Sequence, residues 1–146
     1  MDEFDQLADS AAWIGSLKAY QSAPILQMER NGEDLEGIAI RLLSKTGSEN
    51  TAPFGAGGAP KNYFEALKAE FKEFMCGGEK YVDLRNQISK AWDKGKLHVM
   101  TVIAASIGSV LGLGPAIILP VVAILLTIVA KMGRNAWCAV NAAVVP

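Results

Sequence analysis

An all-α fold is predicted by three features of this 146-residue sequence. Apolar residues recur three and four positions apart through residues 3–20 and 62–94, the period of one helix face. Residues 97–130 then run for 34 positions without a formal charge. Gly112-Leu113-Gly114-Pro115 divides that run near its middle, so it reads as two apolar helices joined by a turn. The expected architecture is a small helical module followed by a C-terminal apolar helical hairpin.

The first element is an amphipathic helix over residues 3–20, with Phe4, Leu7, Ala11, Ile14 and Leu17 on one face. Residues 21–46 admit two readings. Leu35, Ile38, Ala39, Leu42 and Leu43 fit one helical face, which favours a helix over about residues 34–46. Against it, Asn31-Gly32 is a strong β-hairpin dipeptide, Ile38, Ile40 and Leu42 alternate as a strand would, and Gly37 costs a helix interior about 1 kcal/mol relative to alanine. Residues 47–61 hold four glycines and two prolines and read as a linker. A helix over 62–76 follows, with Asn62 as its N-cap and a stripe of Phe64, Leu67, Phe71, Phe74 and Met75. Gly77-Gly78 stops it. A second helix over 79–94 carries Tyr81, Leu84, Ile88, Ala91 and Trp92, and Gly95 ends it. These aromatic-rich stripes need a partner surface, and another protein is one candidate for it. Residues 97–131 form the apolar hairpin and 132–146 an apolar tail.

Charge is distributed unevenly along the chain. Residues 1–62 hold nine acids and five bases, residues 63–96 six acids and seven bases, and residues 97–146 only Lys131 and Arg134. A water-facing helix shows charge on its outer face, whereas a lipid-crossing one must not. One uninterrupted helix over 97–130 would extend about 51 Å, well beyond a hydrocarbon core of about 30 Å. Two halves, 97–113 and 115–131, are each at the short end of what crosses. Lys90, Lys94 and Lys96 before the hairpin and Lys131 and Arg134 after it place positive charge on both flanks, as two crossings returning to one side would. Trp137 suits a membrane interface. The acidic N-terminal stretch does not resemble a secretory signal, so the module and the C-terminus are expected in the cytoplasm.

Within the first apolar half, Gly108 and Gly112 form a GxxxG, and Ala104 extends the same small face. Small residues four apart let helix backbones approach closely, so Ala104, Gly108 and Gly112 are the candidate helix-packing and self-association residues. Gly112, Gly114 and Pro115 are the candidate hairpin turn.

No reactive site assembles from the remaining residues. The segment from Phe54 to Asn62 is glycine-rich and precedes a helix, yet it lacks the Gly-Lys-Ser/Thr ending of a phosphate loop, so a linker is the better reading. His98 is the single histidine, too few for a metal site or a triad, and its place at the start of the apolar run suits a lipid boundary. Cys76 and Cys138 form no CxxC pair and no disulfide framework, which reads as a reduced compartment and two inert small hydrophobes. The alternating Glu65, Lys68, Glu70, Lys72, Glu73, Glu79 and Lys80 read as a solvated helix face. No basic footprint for nucleic acid is present, and neither a cofactor nor an enzyme activity is expected.

The function these features favour is that of a membrane-embedded, self-associating helical protein that acts on the bilayer, as a pore-former or disruptor. In layout it is similar to the small membrane effectors of bacterial self-sacrifice defence. The expected partners are a lipid bilayer and further copies of the chain. The alternative is a soluble oligomeric scaffold subunit whose apolar hairpin is buried in a helical bundle.

Overall fold

A computed structural model describes residues 13–47 and 60–142. Among them are seven α-helices and no strand, as the all-α reading requires. In chain order these are α1 (Ala19–Arg30), α2 (Leu35–Gly47), α3 (Pro60–Met75), α4 (Val82–Ala91), α5 (Lys96–Leu111), α6 (Pro115–Met132) and α7 (Arg134–Ala142). Short 3-10 turns at Ile14–Ser16, Glu79–Tyr81 and Trp92–Lys94 connect or extend them.

The N-terminal third departs most from expectation. Residues 1–12 lie outside the described residues, but within the proposed 3–20 helix the chain makes a 3-10 turn at Ile14–Ser16 and an extended residue at Lys18, and α1 begins at Ala19. Trp13, Ile14 and Leu17 plug into the bundle from this turn rather than from a helix face. Residues 21–46 are not a β-hairpin. Asn31-Gly32 instead closes α1: Gly32 takes a φ of +90°, and the Glu33 amide turns back to the Met28 carbonyl at 3.1 Å. The same left-handed tolerance that favours a hairpin turn serves equally as a helix stop, and here it joins two helices. Gly37 falls in the first turn of α2, where a Cβ would sit 2.8 Å from the Asp34 carboxylate, so the glycine leaves room for that side chain. Most of the 47–61 linker is outside the described residues. Helix α3 starts at Pro60, whose fixed φ suits a first helical position, which places Asn62 inside the first turn rather than at its cap.

The end of α3 shows a device with no sequence signature. The Gly78 amide returns to the Glu73 carbonyl at 2.9 Å, and the Arg85 guanidinium of α4 donates to the Phe74 carbonyl at 3.0 Å and the Gly78 carbonyl at 2.7 Å. The otherwise unpaired carbonyls of a helix C-terminus are thereby satisfied by a cation, which also suits the negative end of the helix dipole.

The buried residues form one continuous cluster running from Trp13 to Trp137. Helix α6 is its axis. Helices α2 and α5 pack along it most extensively, and the Trp13 turn, α3 and α7 complete the cover. Every residue from 121 to 126 is fully buried. The aromatic stripes of α3 and α4 face this core, so Phe64, Leu67, Phe71, Phe74 and Met75 find their partner surface within the chain itself.

The two cysteines are bonded to each other, against the expectation of two free thiols in a reduced compartment. Cys76, just past α3, joins Cys138 of α7 across 62 positions, with 5.8 Å between their Cα atoms. The sequence reading failed because the spacing of the pair matches no motif; α6 runs back along the bundle and delivers α7 beside the end of α3. A bonded pair persists in oxidising surroundings, which removes the cysteine argument for a cytoplasmic location.

The bond closes a long loop, so replacing both cysteines by serine is expected to lower unfolding free energy by about 4 kcal/mol. Urea denaturation of wild type and Cys76→Ser/Cys138→Ser checks this. A smaller, local loss is expected for Gly108→Ala: its Cβ would meet the Leu113 carbonyl oxygen at 2.5 Å, an overpacking cost of about 1–3 kcal/mol. The exposed neighbour Ser109→Ala should change the same denaturation midpoint little.

Candidate membrane-contacting surface

The apolar hairpin is shaped first by its turn. Gly112 has a φ of +75°, and the Leu113 amide reaches back to the Gly108 carbonyl at 3.0 Å, closing α5. Residues 112–114 then reverse the chain, and Pro115 opens α6. Gly112, Gly114 and Pro115 thus stand together at one exposed end of the hairpin, and the helix limits lie within two residues of the expected halves.

The small-residue face divides between two settings. Ala104 and Gly108 are buried. The position a Cβ would take on Gly108 lies 3.3 Å from the Ile118 side chain of α6, so these residues pack inside the chain. Gly112 belongs to the turn and is exposed. The outward face of α5 is another small row, Thr101, Ala105 and Ser109, all exposed and four residues apart. Sequence reasoning passed over it because hydroxyl-bearing residues conceal the spacing. The Thr101 hydroxyl donates to the Leu97 carbonyl and the Thr127 hydroxyl to the Ala123 carbonyl, each at 2.8 Å, so both are satisfied within their own helices.

The basic flanks are placed at the other end. Lys90 and Lys94 are exposed. Lys96 lies 5.6 Å from the Trp13 ring centroid as a cation over an aromatic face. Lys131 approaches the Glu29 carboxylate of α1 at 3.9 Å, and Arg134 is half-buried at the start of α7. Trp137 faces the core of the bundle. It is 2% exposed and meets Phe71 edge to face at 5.7 Å, because the cross-link at the next residue draws α7 onto α3. His98 is half-buried in the first turn of α5. Among the described residues no group of three histidine, cysteine, aspartate or glutamate side chains is placed to hold a metal.

What distinguishes the hairpin is its surface. Seventeen described positions between 97 and 130 reach solvent at least partly, and none carries a formal charge. Over residues 63–94, twelve of twenty-two such positions are charged. A core helix needs apolarity only where it is covered, yet α6 is 56% buried and remains apolar at Ala116, Ile117, Pro120, Ile128 and Ala130. Among the described residues α6 alone is long and apolar enough to cross a membrane; α5 is apolar but has 16 residues. A cleft of about 350 Å³ follows the α5–α6 seam, floored by Ala104 and Leu119 and bordered by Lys18 and Tyr20, the latter 72% exposed.

The chain matches no protein-family model, no curated protein and no solved structure.

Beside the outward face of α5, the Glu70 carboxylate accepts from the Tyr81 hydroxyl at 2.7 Å and pairs with Lys80 at 2.8 Å, tying α3 to the turn before α4. Burial, and then this bond to a carboxylate, hold the Tyr81 phenol neutral well beyond its ordinary range. The unfolded chain releases that proton near pH 10 while the folded chain keeps it. The resulting stability is therefore complete below about pH 10 and is lost as pH rises further. Tyr81→Phe should flatten this alkaline decline, measured as the urea midpoint across pH 8–11.

Proposed function

We propose that this protein is a membrane-inserting helical protein whose α5–α6 hairpin is the membrane-active element, carried in the core of the bundle until it meets lipid. The observation that carries this reading is the absence of charge at every solvent-reaching position from 97 to 130. Water permits charge at those seventeen positions, whereas hydrocarbon excludes it at about 2.5–3.5 kcal/mol per charged residue at a helix centre. The internally satisfied hydroxyls of Thr101 and Thr127 are compatible with the same environment. In the folded bundle the Cys76–Cys138 bond holds both flanks of the hairpin at one end, the arrangement from which a hairpin rather than a single crossing would enter. Bonded cysteines suit an oxidising side rather than the cytoplasm. In lipid, the outward row of Thr101, Ala105 and Ser109 would be the surface for self-association, and release of vesicle contents would extend the reading to pore formation.

One observation favours a second reading, a soluble scaffold subunit: residues 121–126 are buried on every side, as in the axis of an ordinary bundle. Flotation of the full chain with phosphatidylcholine–phosphatidylglycerol vesicles, with and without dithiothreitol, separates the two. The membrane reading expects wild type to float in at least one condition. It expects Ala116→Asp to reduce flotation about tenfold or more, since a charge must then enter hydrocarbon. Ala116 is exposed in the first turn of α6, where an acid is favourable to the helix dipole, so the fold itself should be unaffected. Wild type that remains in the aqueous fraction throughout establishes the soluble reading instead.

A further inference from the structure

We propose that the Cys76–Cys138 bond is a thiol–disulfide exchange site that latches the hairpin inside the bundle, and that a dithiol reductant opens it. This inference rests on the membrane-inserting reading and adds its control. Three observations combine. The bonded loop encloses α4, α5 and α6, so it spans the whole apolar hairpin and nothing beyond α7. The bond joins α3, which packs on both hairpin helices, to α7, which follows α6 after a single glycine. Beside it lies the one aromatic contact between these two helices among the described residues, Phe71 against Trp137. While the bond stands, the end of α3 stays within 5.8 Å of Cys138 between Cα atoms, six residues past the end of α6. The cover cannot part from the hairpin base there. Without it, the joint loses its covalent tie and keeps side-chain packing such as Phe71 against Trp137.

The chemistry is accessible from outside. Cys76 is exposed at the end of α3, whereas Cys138 is half-buried against the core. A thiolate of the reductant attacks the Cys76 Sγ, the S–S bond breaks, and its electron pair leaves on the Cys138 sulfur, which takes up a proton. The reductant's second thiolate then attacks the sulfur it has bonded to Cys76, and Cys76 leaves as a thiolate and is protonated. Two electrons and two protons pass to the protein, and the dithiol ends as its own cyclic disulfide. Exposure makes Cys76 the attacked sulfur and Cys138 the leaving group.

The test uses the full chain in three forms: oxidised, reduced with dithiothreitol, and Cys76→Ser/Cys138→Ser without reductant. Each is floated with phosphatidylcholine–phosphatidylglycerol vesicles, and helical content is followed by circular dichroism. The latch expects the reduced and double-serine forms to float roughly tenfold more than the oxidised form, a population shift set by removal of one constraint. Helical content should be retained, and re-oxidation with oxidised glutathione should return wild type to its starting value. Equal flotation of all three forms overturns the latch and leaves the membrane reading standing. Flotation of none overturns the membrane reading and the latch with it. Loss of helical content in both unbonded forms overturns the latch too, because the bond would then hold the whole fold rather than gate one joint.

Discussion

The organisation of this molecule depends on one constraint: α6 is apolar around its full circumference. A helix with a single apolar stripe can lie on a surface, but one without a polar face must be covered on all sides or sit in hydrocarbon. In the folded chain α2, α5, α3, α7 and the Trp13 turn cover residues 121–127 and leave Ala116, Ile117, Pro120, Ile128 and Ala130 partly uncovered. Their own amphipathic patterns follow from it, since each turns its stripe to the same axis and its charges outward. The ion pair of Lys68 with Glu36 at 3.1 Å, between α3 and α2, lies on that outer layer. Exposed pairs of this kind contribute little energy; what holds the cover in place is the apolar area it removes from water, at about 25 cal/mol per Å².

On the membrane-inserting proposal, the same property would make the hairpin exchangeable. A leucine or isoleucine in a protein core and one among lipid tails are in nearly equivalent surroundings, so moving an uncharged helix between them involves a small transfer term. The larger cost falls on the cover, whose stripes of Phe64, Phe71, Phe74 and Ile88 would lose the surface they pack on. The free-energy balance between a closed bundle and the proposed inserted hairpin would therefore be set by the amphipathic helices more than by the hairpin. An added constraint on the cover, such as a covalent link between α3 and α7, acts on the side of the balance where it has most effect.

The two ends of the hairpin are unlike each other, which would give the proposed exchange a direction. At one end are Gly112, Gly114 and Pro115, exposed and uncharged; at the other are Lys90, Lys94, Lys96, Lys131 and Arg134. The hairpin itself carries no charge between its turn and the bases at its base, which headgroups favour, while Lys18 borders the cleft beside Pro115 and Ala116. The cross-link joins the flanks of the basic end, so it holds the base of the hairpin beside the end of α3.

Much of this was legible in the order of residues. The uncharged run of 34 positions, its break at Gly112-Leu113-Gly114-Pro115 and the stripes of residues 62–94 are local periodicities, and local periodicity determines helix, turn and buried face whatever the chain packs against. The limits of α5 and α6 and the stop at Gly77 follow from backbone preferences within a few residues. Other features depended on contacts distant in sequence. Asn31-Gly32 has one conformational preference and two uses, and packing of α2 along α6 selected the helix stop over the hairpin. Ala104 and Gly108 share a small face by spacing, but only the return of α6 showed that this face closes within the chain. Trp137 and the two cysteines were misread for a common reason: the composition of an apolar tail does not say which surface it will reach. The path of α6 through the bundle decided that, bringing residue 138 beside residue 76 and burying the neighbouring indole against Phe71.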